Sequence, residues 1–187
     1  LAPNADGVLE AEMLSFSKIA TFLLVLFLFV LGTLSASAQS PSVMFNFPDD
    51  IMMQFMNGAV SRLYSVDDRI NPFYLRGDFD GDGRADYAIL VVAKSDKAKG
   101  FAIWLSSKRT FVVLGAGRPF TINDDHTTNL DFIDFWQVYR RQTVEPGVEA
   151  GPPPKLIGEA ILCGKSESAS GLIYWTGRGF RWYQQGD

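Results

Sequence analysis

The chain has 187 residues, a hydrophobic share of 47%, an aromatic share of 13% and a formal net charge of −4. That length suits one domain of ordinary size beside a targeting segment, and the apolar content exceeds that of disordered chains, so a packed core is expected. Beyond residue 38 the balance is 16 basic against 18 acidic side chains with no Lys/Arg-rich run, which removes the electrostatic basis for binding nucleic acid.

Near the amino terminus Lys18 precedes the charge-free stretch Ile19 to Leu31, and Gly32 leads into Ala36-Ser37-Ala38 before Gln39. A base, a short apolar core and small side chains at Ala36 and Ala38 form the pattern of a cleavable export signal over residues 1–38, with cleavage predicted after Ala38. Met13 is the expected start, because the acidic segment Leu1 to Glu12 is unlike the basic front of a signal. Left uncleaved, the charge-free stretch from Ile19 to Pro48 would serve as an anchor across a hydrocarbon layer of about 30 Å. The expectation is an exported protein, periplasmic or extracellular, that is free of the membrane after cleavage. The lone Cys163 lies in the apolar run Ala160 to Cys163; it cannot form an intramolecular disulfide and reads as a buried, inert thiol.

In the mature part, Pro48-Asp49-Asp50 precedes apolar residues at helical spacing, Ile51, Met52, Phe55, Met56 and Val60, with acids where the helix dipole favours them. This predicts an amphipathic helix of about three to four turns. Tyr87 to Ala93 is continuously apolar and branched, and Phe101 to Leu105 and Phe111 to Leu114 follow after connectors too short for helical crossovers. These read as antiparallel neighbours, the first being a central strand covered on both faces. Leu130 to Tyr139 mixes aromatics with Asp131 and Asp134 and leans towards strand. Glu145 to Pro154, with four prolines and two glycines, reads as an exposed loop. Leu156 to Cys163, Leu172 to Trp175 and Phe180 to Tyr183 complete the strands, the last two joined as a hairpin through Thr176-Gly177-Arg178-Gly179. The expected architecture is α+β: a single domain over 39–187 with a mainly antiparallel sheet and one amino-terminal amphipathic helix.

The chemistry is concentrated before the central strand, where Gly77-Asp78-Phe79-Asp80-Gly81-Asp82-Gly83-Arg84-Ala85-Asp86 places carboxylates at loop positions 1, 3, 5 and 9 and glycine at 6. A hard cation such as Ca²⁺ takes six to eight oxygens at about 2.3–2.6 Å, and this spacing curls successive carboxylates towards one point. Asp78, Asp80, Asp82 and Asp86 are therefore the candidate ligands, joined by the backbone carbonyl of Arg84 at position 7. Position 12 is Ile89, so the bidentate glutamate of an EF-hand is missing and a strand, not a helix, leaves the loop. The competing source of positive charge is Lys108 and Arg109, in the connector that returns to the same end as the acids.

The string GDFDGDGRADYAIL resembles the calcium loops of FG-GAP and VCBS-type repeats, over about fifteen residues. The resemblance implies a structural Ca²⁺ held by the acids matching Asp78, Asp80, Asp82 and Asp86, bracing a strand pair. It occurs once, which excludes a whole propeller. The wider arrangement is similar to uncharacterised exported bacterial proteins and carries no known activity.

Catalytic patterns are sparse. The one histidine, His126, sits in Asn123-Asp124-Asp125-His126-Thr127-Thr128 with no Gly-x-Ser-x-Gly elbow and reads as a surface residue. Asp131 and Asp134 would be a pair of carboxylates only if the fold set their separation. Zinc lacks its His and Cys ligands, and Gly115 to Pro119 lacks the spacing of a phosphate-binding loop. Trp175, Phe180, Trp182 and Tyr183, with Arg178 and Arg181, either fill a closing strand or stack on a sugar or protein. The expectation is a calcium-stabilised binding or interaction domain for a protein or glycan partner; the alternative is a small secreted hydrolase or an inhibitor of one.

Overall fold

Helix α1 (Asp49–Asn57) begins after Pro48 with both acids in its first turn, and it buries Ile51 and Phe55, one turn apart on the same face. It is shorter than the periodicity predicts. Gly58 takes an extended conformation (φ −80°, ψ 168°), and a Cβ there would lie 2.6 Å from the Gln54 carbonyl oxygen, so the chain breaks and restarts as α2 (Ala59–Leu63). The Ser61 hydroxyl donates to the Met56 carbonyl at 2.8 Å, satisfying an acceptor that the break would strand. This computed structural model describes residues 46–140, 143–147 and 151–186. The export signal and start site expected within residues 1–38 lie outside them. Among the described residues no helix is long and apolar enough to cross a membrane.

Strands dominate: β1 (Tyr64–Val66), β2 (Tyr74–Gly77), β3 (Asp86–Ala93), β4 (Lys99–Leu105), β5 (Thr110–Gly115), β6 (Phe120–Ile122), β7 (Asp125–Thr127), β8 (Phe135–Tyr139), β9 (Ala160–Gly164), β10 (Ser170–Trp175) and β11 (Phe180–Gly186). All pairings are antiparallel. Among the described residues there are two short helices, and the fold is mostly antiparallel sheet. One sheet runs β1-β3-β4-β5, with β2 also on β3, and a second runs β11-β10-β9-β8. β1 and β2 lie end to end along one edge of β3, pairing Val66 with Val91 and Tyr74 with Ile89, and Asp67 N–H bridges the interval by donating to the Leu90 carbonyl at 2.8 Å.

Strand alternation sorts the side chains into two separate cores. Ala88 and Leu90 of β3 pair with Ile103 and Phe101 of β4, and this face meets Trp136, Ile161, Cys163, Ile173 and Trp175 of the second sheet. Tyr87, Ile89 and Val91 point the other way and pack with Ile51 and Phe55 of α1 and with Phe47. β3 is covered on both faces for this reason, as its unbroken apolar run requires. A third cluster, Tyr139, Val144, Ala160, Leu172 and Tyr183, lies on the outer face of the second sheet; Leu156 packs there from the loop before β9, so the strand expected from Leu156 begins only at Ala160. Cys163 is fully buried, and burial pushes its thiol far above the usual range, so it is inert as a nucleophile.

Two further elements differ from the periodicity reading. Only Phe135–Tyr139 of the Leu130–Tyr139 stretch is strand; Leu130 and Ile133 are buried anchors of the turn before it, and the Leu130 N–H donates to the Lys99 carbonyl at 2.9 Å. The β6–β7 hairpin is made possible by Asn123 (φ 47°) and Asp124 (φ 68°), residues that tolerate the left-handed conformation a tight hairpin turn needs. Phe101 sits at the centre of the inter-sheet core, fully buried and 5.8 Å from the Trp136 ring centroid. Phe101→Ala is expected to cost about 3–5 kcal/mol of stability in urea unfolding, the range for emptying an aromatic site in a close-packed core.

Candidate metal centre

The acidic loop joins β2 to β3, from Gly77 to its ladder partner Asp86. Asp78 folds it. Its Oδ1 accepts the N–H groups of Gly81 (2.8 Å) and Asp82 (3.0 Å), and its Oδ2 accepts that of Gly83 (2.9 Å), so one carboxylate curls the chain round itself. Gly81 (φ +75°) and Gly83 (φ +82°) supply the left-handed residues of that curl. Phe79, between the acids, is fully buried in the inter-sheet core and fastens the loop from below.

Asp86 has no exposed surface. Its Oδ2 accepts the N–H groups of Phe79 (3.1 Å) and Asp80 (3.3 Å), and its Oδ1 accepts that of Ser106 (2.8 Å), in the turn between β4 and β5. Burial pushes this carboxyl up to about 6 from 3.8, and the Asp80 charge adds to the rise, against the lowering by the N–H groups of Ser106, Asp80 and Phe79. The β4–β5 turn is fastened at further points: the Ser106 hydroxyl donates to the Ala85 carbonyl, and the Lys108 ammonium pairs with Asp80 Oδ2.

Asp78, Asp80 and Asp86 each offer a carboxylate oxygen, and these oxygens all lie within 4.8 Å of one another. Oxygens sharing one calcium sit at most about 5 Å apart, twice the bond length, so this cluster is able to hold a metal ion. Asp80 carries the deciding detail. Its side chain is 1% exposed, Oδ2 has Lys108, and Oδ1 is buried with no hydrogen-bond partner. An orphaned carboxylate oxygen in the interior is costly, and a cation at the cluster removes the cost. The donor set is all oxygen, which suits a hard cation and not zinc.

One expected carboxylate, Asp82, stands apart from the cluster. Asp82 is exposed and turned outward: a hydrogen bond from Ser107 and the Arg84 N–H at 2.8 Å hold its carboxyl below the usual carboxylate range. Arg84 is exposed, with that N–H given to Asp82. Lys108 forms an ion pair in the loop, whereas Arg109 is absent from the ion pairs of the described residues. Local spacing gave no sign of Glu159, 81 positions from Asp78, whose Oε2 accepts the Asp78 N–H at 2.9 Å and whose own N–H donates to the Asp78 carbonyl at 2.7 Å. Gly158 allows that contact, because a Cβ there would fall 2.4 Å from the Asp78 carbonyl oxygen.

The other candidate residues are arranged differently. A groove of about 940 Å³ runs between the β6–β7 hairpin, β5 and β11, lined by Phe180, Arg181, Trp182, Asn123, Asp124 and His126 among others. Its amides are partly turned on one another, since Asn123 Nδ2 and Trp182 Nε1 both donate to Gln184 Oε1 at 3.0 Å. His126 Nδ1 pairs with the Thr121 hydroxyl at 2.9 Å across the hairpin. Asp134 accepts the Ser166 N–H at 2.7 Å and its hydroxyl at 2.9 Å, a turn clasp that holds the carboxyl below its ordinary value. No protein-family model, curated protein or solved structure matches the chain.

The Asp86 shift has a definite sign. The folded state binds this proton more tightly than the unfolded chain does, so its contribution to stability is full below about pH 4 and is lost as pH rises to about 6. Urea unfolding in EDTA from pH 4 to 7 should show the wild type losing stability relative to Asp86→Asn across that window and running parallel above it. A bound divalent cation would flatten that slope, because it favours the ionised carboxylate in the folded state.

Proposed function

We propose that the chain is an exported binding domain stabilised by a structural Ca²⁺ in the loop from Asp78 to Asp86. The observation that carries the reading is the buried, unpartnered Asp80 Oδ1 inside a cluster of three carboxylates. Asp78, Asp80 and Asp86 would hold the ion directly; the Arg84 carbonyl and Asp82, after turning from Ser107, would complete an oxygen shell. The likeness of the sequence to FG-GAP and VCBS-type loops supports the same ligand positions and a role in bracing the strand pair that the loop joins. Bound calcium supplies positive charge and oxygen coordination, and so stability. The loop residues have their own task, which is to fix the start of β3 in register with β2.

Calcium is the favoured ion because it accepts six to eight oxygens in variable geometry, as carboxylates and a backbone carbonyl would offer, whereas Mg²⁺ demands a near-ideal, tighter octahedron. Affinity in the range of about 0.1–1 mM is enough for an exported module. At calcium tenfold above Kd the gain is about 1.4 kcal/mol, or about 3–6 °C in melting temperature for a domain of this size. Thermal unfolding of the chain in EDTA and then in millimolar calcium should show that rise, and Asp80→Asn should abolish it. No rise in the wild type would overturn the calcium reading.

For the binding activity, the supporting observation is the groove beside β11, where aromatic rings lie next to amide, imidazole and guanidinium groups. A protein or glycan partner suits that mixture, since rings supply stacking area and amides orient polar ligands. Trp182→Ala is expected to abolish capture of a partner from the cell-envelope fraction while the calcium-dependent rise in melting temperature persists. Capture that is unchanged in this variant would move the binding surface elsewhere.

A further inference from the structure

We propose that Lys108 is a built-in competitor for the cation: its ammonium neutralises the acidic cluster when no divalent ion is bound and has to leave Asp80 when one binds. The inference rests on the cation reading of the loop and adds the residue that sets its affinity.

The geometry around Asp80 is lopsided. One oxygen, Oδ2, is paired with the Lys108 ammonium, and the other, Oδ1, is buried without a partner. A monovalent group arriving from one side satisfies half of the carboxylate, whereas a dication bound among Asp78, Asp80 and Asp86 reaches oxygens of all three. A dication and an ammonium on the same carboxylate repel each other strongly at such short range, with little water between them to screen the repulsion. Occupancy by one therefore excludes the other.

The two partners also differ in freedom. The Asp80 side chain is 1% exposed and the Lys108 side chain is 47% exposed, so the lysine can withdraw into water while the carboxylate stays fixed. The ammonium lies 4.7 Å from the centroid of the Trp175 ring, a cation–π contact that guides it over the second sheet towards the loop. Withdrawal leaves the turn in place, because Ser106 remains bonded to Asp86 and Ala85. Lys108 thus holds the loop through a charge-assisted contact that its half-exposed side chain can give up to water. The consequence is a loop that keeps its shape without calcium and binds it weakly.

Calorimetric titration of the full chain with calcium chloride, beside Lys108→Met and Lys108→Arg, tests this. Lys108→Met should bind calcium roughly five- to tenfold more tightly, the scale of one partly exposed ion pair that no longer has to be broken, and Lys108→Arg should stay near the wild type. Melting gives an independent readout: Lys108→Met should melt below the wild type in EDTA, where Asp80 has lost its counter-charge, and at or above it in saturating calcium. Equal or weaker calcium binding by Lys108→Met, or an equal drop in melting temperature under both conditions, would overturn the competition and leave the calcium site standing. Absence of calcium binding in all three proteins would overturn the site itself, and the competition with it.

Discussion

The structure depends on the burial of carboxylate charge at the point where β2 hands over to β3. Asp86 has no exposed surface, and it is tolerated there because three backbone N–H groups converge on it. Those donors come from the loop preceding it and from the β4–β5 turn, so a single side chain sets the height at which two neighbouring connections meet. Desolvating a charge is expensive and is offset only by well-aimed partners, which makes this arrangement far less forgiving than the apolar contacts beneath it. The curl of the loop follows from the same logic, with Asp78 collecting three further N–H groups.

From this point the loop ties the sheets together. Phe79 inserts into the core between them, Glu159 approaches from the loop leading into β9, and Lys108 passes over Trp175 of β10 to reach Asp80. The acids therefore sit at the end of a sandwich whose two layers come from distant parts of the chain. A cation added there would act on both layers, which is why its expected effect is on stability and not only on local order. The pairing of Lys108 with Asp80 gives the site a partial substitute for that cation, and the orphaned Asp80 Oδ1 marks how far the substitute falls short.

Much of this was legible in local pattern. Short polar connectors after Ala93 and Leu105 allow only antiparallel neighbours, and β3, β4 and β5 are paired so. Helical spacing at Ile51 and Phe55 identified the buried face of α1, but not its end, because Gly58 breaks the helix where only a residue without a Cβ fits. The period-based reading over-extended the strand before Tyr139, since Leu130 and Ile133 are buried as anchors of a turn and imitate strand residues. Spacing of acids at loop positions 1, 3, 5 and 9 named Asp82 alongside the others, yet Asp82 faces Ser107 and solvent. Spacing along a curl fixes proximity in the chain; which carboxylate turns inward is decided by the donors around it.

The sequence by itself determined the loop's curl, the apolar strands and the antiparallel neighbours, because each depends on residues close together in the chain: an aspartate beside glycines, a run of branched side chains, a connector too short to cross over. Only the tertiary structure decided that the strands divide into two facing sheets, that Glu159 and Gly158 dock on Asp78, and that Lys108 and not Arg109 reaches the acids. The physical reason is that these contacts join residues tens of positions apart. Their geometry is fixed by how one buried face fits another, and no local periodicity encodes it.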